Sequence, residues 1–174
     1  MIFKLFRAII GLGECKQMFS IGDKVSYPMH GAGLIKTIEE RQILGETRSY
    51  YIVHIDHGNM DVMVPVVGCE NVGLRPIVDK GALDSVFKSL GAESEPMDDN
   101  WNRRNRDNIE RLKTGNLNTV AAVIRDLARV DSVKKLSTGE KKMLSNAKVI
   151  LASEMAMVLE KTEDEVMHMI EEAI

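Results

Sequence analysis

The densest group of residues able to touch another molecule is Trp101-Asn102-Arg103-Arg104-Asn105-Arg106, an indole beside three guanidiniums. An aromatic plane next to such cations can stack on or wedge against bases while the cations hold phosphates. Trp101 could instead cap a helical core, but the acidic segment before it and the polar positions after it favour a helix start at the surface. Metal chemistry is poorly supported. His54-Ile55-Asp56-His57 gathers ligand types, yet strand alternation sends His54 and the turn residue His57 different ways, so no metal is expected. His30 lies in Met29-His30-Gly31-Ala32-Gly33, a G-x-G lacking the third glycine and the following helix of a phosphate loop, and those glycines are read as letting the backbone bend. Glu39-Glu40 and Glu171-Glu172 are adjacent residues facing different directions, and no Ser, Cys or Lys stands in a nucleophile motif. The expectation is therefore no catalytic residue, no enzyme, no cofactor and no small-molecule substrate.

Two kinds of element must position these residues. Between Met18 and Pro76, the segments Asp23 to Tyr27, Gly33 to Ile43, Ser49 to Ile55, Asp61 to Val66 and Val72 to Pro76 are rich in β-branched and aromatic residues with partial period-two alternation. Leu44-Gly45-Glu46 and His57-Gly58-Asn59 supply hairpin turns. Five short strands in so little chain predict a small, strongly bent sheet or SH3-like barrel. After Pro76 the period becomes helical. Leu83, Val86, Phe87 and Leu90 share a face, Gly91 to Asp99 reads as a linker, and Asn100 to Lys113 reads as a basic helix stopped by Gly115. Leu117, Val120, Ala121, Ile124, Leu127 and Ala128 mark another helix, and Ser137-Thr138-Gly139-Glu140 is a capping box that opens a long one. Its inward face is read as Met143, Leu144, Ala147, Ile150, Leu151, Met155 and Val158. Thr162 to Glu165 repeats the capping signature before a last helix.

The fold class is accordingly α+β, a small N-terminal β-domain followed by a C-terminal helical bundle. The division is 1–17 as an extension dispensable to the fold, 18–76 as the β-domain, 77–99 as helix and linker, and 100–174 as the helical domain.

The 174 residues carry 23 Lys and Arg against 26 Asp and Glu, a formal charge of −3 that alone favours neither a polyanion nor a membrane surface. The mean hides a segregation. Asp99 to Lys148 holds twelve basic and six acidic residues, whereas Glu154 to Ile174 holds one Lys against seven acids. Such asymmetry points to a nucleic-acid or acidic-partner surface on the basic part, with solvated helix faces as the plainer alternative. Cys15 and Cys69 form no C-x-x-C, which suits a reducing, cytoplasmic setting, and no run approaches the ~18 apolar residues of a membrane span. The residues by themselves leave open a DNA-contacting factor, a protein-interaction adaptor and an RNA-binding module.

The order of segments narrows this. GDKVSYPMHGAG from Gly22, IEERQILGE from Ile38, VPVVGCENVGLRP from Val64, NWNRRNRDNIERL from Asn100 and LSTGEKKMLSNAKVILASEMA from Leu136 together resemble the CarD/CdnL family of bacterial transcription regulators. The resemblance implies a Tudor-like β-domain that docks on the RNA polymerase β subunit and a helical domain that touches promoter DNA. It places Arg41 against the polymerase and Met63 where some members carry a second Arg. It makes Trp101 a wedge at the upstream edge of the transcription bubble, with Arg103, Arg104 and Lys141 as basic positions near the DNA. The implied outcome is a stabilised open complex, reached without covalent chemistry.

Overall fold

The computed structural model describes residues 18–98 and 100–174. The expectation for 1–17 lies outside the described residues. Five antiparallel strands, β1 (Lys24–Tyr27), β2 (Gly31–Ile43), β3 (Glu46–Ile55), β4 (Met60–Pro65) and β5 (Arg75–Pro76), form one sheet in the order β4-β3-β2-β1-β5. Alternation decides its faces: Tyr51, Val53 and Ile55 of β3 are buried, so Tyr50, Ile52 and His54 point outward. Leu44 (φ 53°) and Gly45 (φ 84°) make the β2–β3 hairpin, both at positive φ as a two-residue turn of this twist requires. The concave side encloses Val25, Ile35, Tyr51, Val53, Ile55, Val64 and Leu74. Phe19 closes that core edge-on to Tyr51 at 5.7 Å, and the Tyr51 hydroxyl accepts from the backbone N–H of Met18 and Phe19.

The starts of β2 and β5 differ from the sequence reading for identifiable steric reasons, alongside end shifts in β1, β3 and β4. β2 starts at Gly31 because Gly31 and Gly33 lie inside the ladder, where a Cβ would strike the Ser153 hydroxyl and the His54 carbonyl respectively. These glycines serve close approach as well as bending. Val72 belongs to a 3₁₀ turn (Cys69–Val72) bracketed by Gly68 and Gly73 at φ 75° and 82°, which leaves β5 only two residues.

Five helices follow: α1 (Leu83–Gly91), α2 (Trp101–Lys113), α3 (Leu117–Val133), α4 (Thr138–Leu159) and α5 (Glu163–Ala173). Both capping boxes form, Ser137 with Glu140 and Thr162 with Glu165, so the start of each of these helices is written in local sequence. The division at 100 needs correction. Leu83, Val86 and Leu90 of α1 are buried in the same core as Leu112, Ile124, Leu127, Leu151, Met155 and Ile170, so the helical unit begins at Leu83. Among the described residues, no helix is long and apolar enough to cross a membrane.

Helix α4 joins the two units. Residues 150–156 are all buried, a run longer than one turn, so the helix is covered on every side there. The bundle covers one side and the β-domain the other. The Ser153 hydroxyl accepts from the Ala32 N–H at 3.0 Å, and Lys24 donates to the Met157 carbonyl at 3.1 Å. The carboxylate of Glu154, 0% exposed, receives Arg75 through two nitrogens at 2.6 and 2.9 Å and the Val78 N–H at 3.0 Å. Arg75 also donates to the Gly115 carbonyl after α2. Removing one partner of an enclosed ion pair leaves an uncompensated charge at a cost of about 3 to 5 kcal/mol. Arg75→Met is therefore expected to lower stability by that order in urea unfolding. Arg75→Met combined with Glu154→Gln should recover part of the loss, and equal losses would show that the charge pair is not what holds the junction.

Candidate nucleic-acid and protein interfaces

The helical site begins at the first turn of α2. The Asn100 side chain caps it by accepting from the N–H of Asn102 and Arg103, which sets Trp101 as the first helical residue. The ring is 44% exposed, which answers the choice left open by sequence between a surface and a core position. One side rests near Gly139, 3.8 Å from where a Cβ there would lie, and the indole Nε1 donates to the Ser137 Oγ at 3.2 Å. The remainder faces solvent, and Arg103, further along the same turn, has a side chain 68% exposed that lies 3.7 Å from Asp98.

Arg104 is elsewhere. It is only 8% exposed, and its Nε and Nη2 donate to Glu140 Oε1 at 2.9 and 2.6 Å while Nη1 donates to the Asp98 carbonyl. The sequence reading of Arg104 as a DNA-facing cation is corrected: it lies one turn along from Trp101 on the side of α2 that meets the first turn of α4, where Glu140 takes up its charge. Its charge is used inside the protein. The second oxygen of Glu140 accepts from the Ser137 N–H at 3.0 Å and hydroxyl at 2.7 Å. Burial would push the Glu140 carboxyl up, but the hydrogen bonds from Ser137 and Arg104 outweigh it and hold the group below its ordinary value.

Lys141 is exposed and lines the α4–α5 groove with Leu144 and Lys148. Two further cations are exposed, Arg106 of the sequence cluster and Lys142, which the sequence reading did not single out. Arg106, with its side chain 75% exposed, follows Arg103 by three residues on the same face of α2. Lys142, also exposed, follows Gly139 by three residues on the side of α4 that meets the indole. The i,i+3 spacing was visible; which face turned outward was not. The charge count of the basic segment likewise overstated its surface, because Arg125 as well as Arg104 is buried, held by Asp126.

On the β-domain, Arg41 and Met63 do share a face. The outward residues pair across the strands as Ile52 with Met63, Tyr50 with Pro65 and Arg41 with Arg48, so an apolar strip ends in two arginines. Like charges directly opposite repel. Each is braced along its own strand, Arg41 by Glu39 and Arg48 by Glu46. Arg48 was not singled out by sequence and is found through strand register alone. His54 donates from Nδ1 to Asp61 Oδ1 at 2.7 Å, His57 lies 3.7 Å from Glu163, and no group of three potential metal ligands exists among the described residues.

An outward-facing sheet ending in arginines, joined through α4 to a half-exposed tryptophan on a basic helix, reproduces the arrangement expected from the sequence motifs. Residues 19–78 match the CarD-like/TRCF RID domain, and residues 85–171 match the CarD, C-terminal domain. The chain belongs to the CarD family of transcription regulators. It is also 38% identical over 149 residues to "Putative transcription factor YdeB" of Bacillus subtilis (strain 168), an alignment spanning 86% of this chain and 97% of that protein. The CarD match thus covers both the sheet that carries Arg41 and the helices that carry Trp101.

Truncating Arg104 strands the nearly enclosed Glu140, so Arg104→Ala is expected to cost about 3 to 5 kcal/mol, whereas the exposed Arg103→Ala should stay within ~0.5 kcal/mol. Because the Glu140 carboxyl is held low in the fold, its contribution is complete above the ordinary carboxylate value near 4 and is lost as pH falls through the lower folded value. Stability measured against pH should show that acid limb flattened in Glu140→Gln. An unaltered limb would remove Glu140 from the cause.

Proposed function

We propose that this CarD-family protein binds the RNA polymerase β subunit through the outer face of its sheet and stabilises the promoter open complex through Trp101. The observation that carries this reading is the half-exposed indole, placed in the first turn of a helix that also exposes Arg103 and Arg106, and braced from behind by α4. An exposed aromatic can stack on an unpaired base, a contact worth ~1 to 3 kcal/mol that exists only when the DNA is open. The cations next to it hold phosphates without reading sequence. Such a factor acts by differential binding: a preference of ~1.4 kcal/mol for the open state shifts its population about tenfold, and no covalent step is needed. With few DNA contacts and an overall acidic chain, affinity for free DNA is weak and falls with salt, so recruitment depends on the β-domain. On that domain, Met63 gives an apolar contact where some relatives have a guanidinium, and Arg41 supplies the charge.

The test is one variant measured two ways. Trp101→Ala should shorten open-complex lifetime while its loss of thermal stability stays well below the ~3 to 5 kcal/mol of a truncated core aromatic. An unchanged lifetime in a folded variant would defeat the DNA contact. Separately, Arg41→Glu should weaken co-purification with the polymerase β subunit and leave the melting temperature unchanged, since it places a carboxylate where a cation meets an acidic surface. Undiminished co-purification would take Arg41 out of the contact.

A further inference from the structure

The Ser137 hydroxyl has one proton to give and two lone pairs to fill. Its proton goes to Glu140 Oε2, 2.7 Å away, because an ionised carboxylate can only accept. Both lone pairs are then left for donors, and two are present: the Glu140 N–H at 3.3 Å and the Trp101 indole N–H at 3.2 Å. The direction of the hydroxyl is fixed from the other side as well, since Arg104 occupies Glu140 Oε1 through two nitrogens. The loop of contacts is closed: Trp101 to Ser137, Ser137 to Glu140, Glu140 to Arg104, and Arg104 back to Trp101 through one turn of α2.

The geometry points to Ser137 as a positioning residue that sets the plane of the Trp101 ring before DNA arrives, with Glu140 and Arg104 fixing the hydroxyl that does so. This rests on the reading of Trp101 as a DNA contact. A half-exposed indole attached only at its Cβ samples several rotamers, and each must be given up when the ring stacks. A single hydrogen bond at the far edge of the ring selects one of them in advance, and the ordering cost is then borne by folding instead of by DNA binding. The capping box has a second use beyond starting α4, and the cation that the motif offered to DNA is spent on the ring's support.

Ser137→Gly separates the two uses, because Gly at a helix N-cap costs only a few tenths of a kcal/mol while the acceptor for the indole disappears. Trp101 is the single tryptophan of the chain, so its fluorescence reports the ring without interference. In the free protein, Ser137→Gly should lower the anisotropy of Trp101 and shift its emission, and Ser137→Thr should restore both. With polymerase and promoter DNA, Ser137→Gly should shorten open-complex lifetime about fivefold, the equivalent of one neutral hydrogen bond, again with rescue by Thr. Trp101→Phe lacks the indole donor, so adding Ser137→Gly to it should change the lifetime no further. The inference is overturned if Ser137→Gly leaves anisotropy and lifetime as they were, or if it shortens the lifetime by the same factor in the Trp101→Phe background. If Trp101→Ala itself leaves the lifetime unchanged, the DNA-contact reading fails and this inference with it. If Trp101→Ala shortens the lifetime and Ser137→Gly does not, only the positioning role fails. Glu140→Gln provides a second variant: its amide N–H₂ cannot accept from Ser137, so it should reproduce the loss of anisotropy with the hydroxyl still present.

Discussion

The carboxylate of Glu154 has no access to water, and that single constraint fixes how the two halves of the molecule meet. An enclosed carboxylate is tolerated only when a cation and further donors are brought to it. In this fold they come from outside the helical bundle: Arg75 from β5 and the Val78 N–H from the segment that follows it. The β-domain therefore cannot rotate on the bundle without leaving the charge bare. Gly31 lets β2 come close enough for the Ala32 N–H to reach Ser153, one residue before Glu154. A two-domain chain with a polar, geometrically exacting junction behaves as one body, where an apolar junction of the same area would allow sliding.

Helix α4 carries that constraint to the surroundings of Trp101. Its 22 residues span about 33 Å. Glu154 near one end is held by the β-domain, and Glu140 in the first turn is held by α2 through Arg104. The two glutamates are separated by roughly 21 Å along the axis, close to four full turns, so they face nearly the same way. Each is neutralised by an arginine from a different unit. A helix of this length is stiff on the scale of the protein, so the distance between the sheet face that bears Arg41 and the ring of Trp101 is set by the fold. A factor that binds a large partner at one end and DNA at the other depends on such a fixed span: where the span matches, the second contact is intramolecular and gains effective concentration, and where it does not, the gain disappears.

Distribution of charge follows the same division. The buried Arg104 and Arg125 and the partly exposed Arg75 each answer a buried acid, whereas Arg103, Arg106 and Lys142 stand at the surface. The fold has sorted cations that look alike in sequence into structural and available ones.

Local sequence determined the elements. Alternation over Ser49 to Ile55, positive-φ residues at Leu44-Gly45 and the capping boxes at Ser137 and Thr162 each act within a few residues, and the strands and helices they imply are present with small shifts at the ends. The motif order likewise identified the family, since the stretches around Gly22, Asn100 and Leu136 lie in the two matched domains. Tertiary structure alone decided which side each charged residue takes. Glu154 reads in sequence as part of an acidic surface run, and it is buried because the β-domain covers the face of α4 opposite the bundle. Arg104 reads as one of three equivalent cations, and it is buried because the first turn of α2 meets the first turn of α4 at Glu140. Arg48 becomes the neighbour of Arg41 only through the register of β2 and β3. A side chain's exposure depends on what packs against its element from a distant part of the chain, and local periodicity holds no information about that partner.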